Sequence, residues 1–176
     1  MNDGIKSRSV LKLVNLARAA YGANELETLI RGQLRSASFC TIGRSLRFGA
    51  EEWLFIAVGS RYLRLWALGK DSAAVADQIR KAWGMPSQLL IKPTEKSGCV
   101  MLALPPEMCE FLDRFDRGLL PDYEGEVSDV EELQLTELAH KVPTALGKQR
   151  SFGHFFVPEI LPRQRCNNSD SALSAG

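Results

Sequence analysis

The stretch that most limits how this chain can fold is Glu51 to Asp71, E-E-W-L-F-I-A-V-G-S-R-Y-L-R-L-W-A-L-G-K-D, whose dense apolar run is broken once, at Gly59-Ser60. Trp53 to Val58 is a short continuous run of apolar, largely aromatic or branched residues. That is long enough for a buried strand and too short for a membrane span. Beyond Ser60 two readings stay open. If Arg61 to Leu68 is a second strand, Gly-Ser is a hairpin turn and Arg61, Tyr62, Leu63 and Arg64 alternate across a sheet. If it is helical, Gly59 and Ser60 form a strand-to-helix loop whose N–H groups can receive a phosphate.

At 176 residues the chain suits one domain. The expectation is a single α+β domain over residues 1–160, with an acidic segment at 121–141 inside it and a disordered tail at 161–176. An apolar fraction of 45% and a charged fraction of 24% set aside collagen-like, disulfide-scaffold and wholly disordered classes. Charges run through the first eighteen residues without a signal-peptide core, and no run reaches membrane length, so a cytoplasmic protein with no membrane insertion is expected. Cys40, Cys99, Cys109 and Cys166 are scattered and form no C-x-x-C pair, and His140 and His154 lack H-E-x-x-H spacing. Incidental thiols are the expectation, with no metal-ligand spacing visible.

The small overall charge hides an asymmetry. Residues 1–92 hold 14 Lys or Arg against 7 Asp or Glu, whereas residues 93–176 hold 8 against 14. A basic half permits a nucleic-acid partner through counterion release, and equally permits arginines that only solvate helix faces.

Along the chain, Val10, Leu13, Val14 and Ala17 predict a helix from Ser7 to about Tyr21, stopped by Gly22. A second helix is predicted from Asn24 or Glu25 to Leu34, and two strands, F-C-T-I and L-R-F, around Gly43 and Arg44. Asp71 or Ser72 caps a helix with Val75, Ile79, Ala82 and Trp83 on one stripe, ended by Gly84 and Pro86. Gln88 to Lys92 and Cys99 to Leu104 read as strands around T-E-K-S-G. Pro105 and Pro106 introduce a helix with Met108, Phe111, Leu112 and Phe115 on one face and Gly118 at its exit. The fold class predicted is therefore α+β, a mixed, mainly antiparallel sheet with flanking helices.

After Pro121 seven acids occur with no Lys or Arg until Lys141. This reads as a solvated segment or exposed helix from Ser128, or as an acidic contact surface for a basic partner or for the chain's own basic half. The aromatics of S-F-G-H-F-F-V-P return to the core or dock on a partner.

A catalytic reading draws on Glu51, Glu52, Ser60, Arg61, Arg64, Lys70 and Asp71, since arginine holds two phosphate oxygens at once and a carboxylate holds a metal or accepts a proton. Blander roles compete: solvated acids at a strand entrance for Glu51 and Glu52, turn and cap for Lys70 and Asp71, a turn residue for Ser60. No G-x-S-x-G elbow and no G-x-x-x-x-G-K-[ST] loop is present.

F-I-A-V-G-S-R-Y-L-R-L-W-A-L-G resembles the glycine-arginine signature of the ParB and sulfiredoxin superfamily, where a strand meets a phosphate-binding loop and helix. Gly59 and Arg61 match that pattern; Tyr62 stands where a second arginine is usual, and Ser60 replaces the sulfiredoxin cysteine. With its basic helical N-terminus and acidic later segment, the chain resembles plasmid fertility-inhibition factors of the Osa type, a divergent branch of that superfamily. The resemblance implies a block on DNA export through a type IV secretion (conjugation) system, with DNA and a secretion-system or coupling-protein component as partners. It also implies nucleotide-dependent phosphodiester cleavage, and ATP-linked DNA cleavage with ATP and Mg2+ as cofactors is the expectation built on it. In that chemistry Gly59, Ser60 and Arg61 bind nucleotide or phosphate, and Arg61 with the spacing-based addition Arg64 neutralises charge. Glu51 and Glu52 are added as nearby acids rather than by the resemblance, Glu52 as a catalytic group and either one to hold Mg2+ or orient water.

Overall fold

The computed structural model describes residues 2–91 and 99–142. The T-E-K-S-G connector, the late aromatics, Cys166, His154 and the 161–176 tail expectation lie outside the described residues. Within them the chain is mixed α+β: five α-helices and a four-stranded, wholly antiparallel sheet whose strands lie in the order Leu54–Val58 (β1), Tyr62–Ala67 (β2), Val100–Ala103 (β4), Leu90–Ile91 (β3).

Helix α1 spans Asn2–Ala20 and buries Val10, Val14 and Ala17 completely. Gly22, at φ +88°, ends it. The Ala23 N–H reaches the Arg18 carbonyl at 2.8 Å and that of Gly22 reaches Ala19 at 3.2 Å, a Schellman closure. No helix forms over 24–34, contrary to the cap and stripe reading. Tertiary partners take the backbone groups a helix would have used: Asn15 bonds both the N–H and the carbonyl of Leu26, the Ser45 hydroxyl accepts from Ile30 N–H, and Gly32 N–H donates to Tyr123.

Strands are likewise absent from 38–48. Thr41–Arg47 is helix α2, begun by Cys40, whose Sγ accepts from Gly43 N–H at 3.3 Å. Ile42 and Leu46, four apart, are fully buried, so a run that mimics strand composition is helical by its spacing.

Strand β1, Leu54–Val58, pairs with β2, Tyr62–Ala67, from Leu54↔Ala67 to Val58↔Leu63. Strand β4, Val100–Ala103, lies on the other side of β2, and β3 is reduced to Leu90–Ile91 after a 3-10 turn at Ser87–Leu89. Helix α3, Ser72–Ala82, is capped by Asp71, and α4, Pro106–Asp116, begins at its proline; both agree with the sequence reading. Helix α5, Asp129–Ala139, is capped by the Ser128 hydroxyl.

Alternation along the hairpin explains the continuous apolar run. Leu54, Ile56, Val58, Leu63 and Leu65 join the cluster of Val10, Val14, Val75, Ile79, Met108, Phe111 and Phe115. Phe55, Ala57 and Trp66 face the other way, onto Phe39 and onto Leu135, Leu138 and Ala139 of α5. Both faces of β1 are covered, so every residue in it is buried. Each of its Leu, Phe, Ile and Val side chains contributes about 1.5–3 kcal/mol on burial.

Candidate functional site

The turn after β1 is a closed hairpin. The Gly59 N–H donates to the Tyr62 carbonyl at 2.7 Å, and Leu104 N–H of the neighbouring chain segment donates to the Arg61 carbonyl at 2.8 Å. Ser60 and Arg61 form the tip, and residues from Tyr62 onward are strand, so the strand-to-helix alternative does not hold. The Gly59 amide that a phosphate would have needed is spent inside the hairpin. Arg61 is exposed, while Arg64 is half-buried and pairs across the sheet with Ala57 and Met101. Arg64 thus lies within β2 and Arg61 in the turn before it.

Glu51 and Glu52 lie before β1, at the other end of the hairpin from Arg61. The five residues of β1, at roughly 3.4 Å each, put about 17 Å between those ends. The hairpin therefore does not bring the two acids together with Gly59, Ser60 and Arg61. Glu51 instead lines a small enclosed space with Arg47, Glu131, Gln134 and Leu135. The Lys70 ammonium sits 4.0 Å from the Trp53 ring centroid, and Asp71 accepts from the N–H groups of Ala73 and Ala74. Among the described residues no group of three or more His, Cys, Asp or Glu is placed to hold a metal ion.

Two arginines of the basic half are interior. Arg18, 2% exposed, donates to the carbonyls of Asn24, Ser45 and Phe48 at 2.7–2.8 Å, capping the end of α2. Arg47, also 2% exposed, donates to Ser38 at 2.6 Å and to Ile56 of edge strand β1 at 3.3 Å, over the Phe39 ring. Burial lowers the pKa of both, Arg47 to about 10, and Glu131 opposes that shift at Arg47. Arg35 is spent similarly, its N–H on the Asp116 carboxylate and its guanidinium on the Asp116 carbonyl.

Glu131 is where the two halves of the charge asymmetry meet. Arg44 donates Nε and Nη2 to its two carboxylate oxygens at 2.9 and 2.6 Å, and Arg47 Nη2 lies 3.6 Å away. This fork fastens the acidic helix to α2, with Leu135 and Leu138 beneath it. The acidic segment is thus not merely solvated: one of its acids contacts the chain's own basic half. Its outer side carries exposed Val130 and Leu133 beside exposed Asp129, Glu132 and Glu137.

Along α1, two clefts of about 430 and 620 Å3 share Arg8, Leu11 and Glu27. Arg8, Lys12 and Arg31 line them together with Glu25, Glu27 and Asp122, so the cations there are interspersed with acids. No helix among the described residues is long and apolar enough to cross a membrane. No family model, curated protein or solved structure matches the chain.

Proposed function

We propose that this chain is a cytoplasmic fertility-inhibition factor that blocks DNA export through a type IV secretion system by binding a component of the export apparatus, without cleaving DNA. The setting comes from the sequence resemblance of the Phe55 to Gly69 stretch alone, since a hairpin stands where that superfamily has a strand-to-helix phosphate loop; the mode of action comes from the hairpin. The carrying observation is that the Gly59 amide is consumed at 2.7 Å by Tyr62, with Glu51 and Glu52 at the far end of β1 from Arg61. Phosphoryl chemistry needs its cation, water-orienting acid and anion-binding amides converged on one atom. A contact mechanism asks only for a rigid surface of defined charge, and α5 offers one.

The catalytic reading, with ATP and Mg2+ as cofactors and Arg61, Arg64 and Glu52 as reacting groups, is favoured by one observation, the exposed Arg61 at the hairpin tip. Incubating the purified protein with DNA, ATP and Mg2+ separates the two. The contact reading expects DNA to decay no faster than in buffer, for wild type and Arg61→Ala alike. Decay that requires ATP and is lost in Arg61→Ala would replace it with the catalytic one.

A further inference from the structure

The outward face of α5, we infer, is the docking surface for a basic amphipathic helix of a partner protein, an inference that rests on the contact reading of the function. Leu135, Leu138 and Ala139 turn inward, and the opposite ridge carries Val130 and Leu133, 66% and 59% exposed. Three residues apart, these two stand as neighbours on one helix face. Exposed Asp129, Glu132 and Glu137 surround them, in a stretch from Pro121 to His140 that holds seven acids and neither Lys nor Arg.

An apolar centre inside a charged rim is the arrangement that concentrates binding energy at an interface. The sign of the rim selects the occupant. Phosphate backbones and anionic lipid surfaces meet like charge there, and a second copy of α5 would set carboxylates against carboxylates. A helix bearing apolar anchors one turn apart with Lys or Arg beside them meets opposite charge and fills the Val130 and Leu133 ridge. The platform is already ordered, since the Ser128 hydroxyl caps the helix and the Arg44 fork on Glu131 holds its first turn, so little ordering cost remains on binding.

The test uses the full chain and a fluorescent synthetic helical peptide with two leucines four residues apart among lysines, followed by anisotropy. Val130→Ser/Leu133→Ser is expected to weaken binding about tenfold or more. Asp129→Asn/Glu132→Gln/Glu137→Gln is expected to weaken it similarly and to flatten its salt dependence. Thermal melting confirms that these surface variants stay folded. Equal binding by wild type and Val130→Ser/Leu133→Ser, or by a peptide whose leucines are replaced with serine, overturns the inference. So does a dimer in sedimentation that the Val130→Ser/Leu133→Ser change dissolves, since the occupant is then a second copy. Transfer frequency in donors carrying that variant separates this surface from the function: peptide binding lost with transfer still blocked upholds the surface and removes it from the inhibitory contact.

Discussion

Arg47 shows how a single residue changes meaning between sequence and fold. Counted along the chain it is one more cation in a basic half; in the structure it is buried, holds two carbonyls and shares Glu131 with Arg44. Removing this guanidinium takes a donor from the Ser38 and Ile56 carbonyls and leaves Glu131 to Arg44 alone. Arg47→Ala is expected to cost about 3–5 kcal/mol, read from urea denaturation, because the Ser38 and Ile56 carbonyls and part of Glu131 lose their donor. A surface arginine would cost within about 0.5 kcal/mol. A loss of that smaller size would mean the guanidinium is not the fastening described. Nothing local announces such a residue: Arg44 and Arg47 sit in a run whose composition reads as strand, and the acid they share, Glu131, lies far along the chain.

Among elements, those whose signals are local were legible. Asp71 as cap, the Val75, Ile79 and Trp83 stripe, the proline at the head of α4 and Ser128 before α5 all act within one or two turns; α3 and α4 begin and end where the residues indicate, and α5, read as a solvated segment or an exposed helix, begins at Ser128 but buries Leu135, Leu138 and Ala139. The hairpin was legible as one of two readings. The 24–34 segment was not, because distant partners take its backbone groups, and α2 was not, because its composition reads as strand while the Ile42 and Leu46 spacing is helical. Gly32 is the sharpest case. A Cβ there would fall 2.5 Å from the Cys40 carbonyl carbon and 2.6 Å from the Phe39 oxygen, both backbone atoms that cannot swing aside. Its N–H and carbonyl are also tied to the 123–125 strap. Gly32→Ala is therefore expected to destabilise by about 3 kcal/mol or more, at the upper end for single changes, with the loss visible as a lowered thermal midpoint. Gly49→Ala, at an open position of φ +81°, serves as the comparison and is expected to cost about 1 kcal/mol. Equal costs at the two positions would refute the close-approach account.

At the scale of the whole molecule, the charge asymmetry resolves into an internal fastening and an external face. Several cations of the first half are consumed at home, by the end of α2, by β1, by Asp116 and by Glu131, while the acids on the outer side of α5 face solvent. The sheet, covered by helices on one face and by α5 on part of the other, serves as the rigid backing for that surface. The candidate catalytic residues did not converge because a hairpin separates residues near in sequence as readily as it joins them: Glu52 and Arg61 lie at its opposite ends. The most direct test is the conjugative transfer frequency of donor cells producing the Glu52→Gln/Arg61→Ala/Arg64→Ala variant. The account predicts transfer blocked as fully as by wild type; transfer restored by that variant, present at wild-type level and folded, would contradict it.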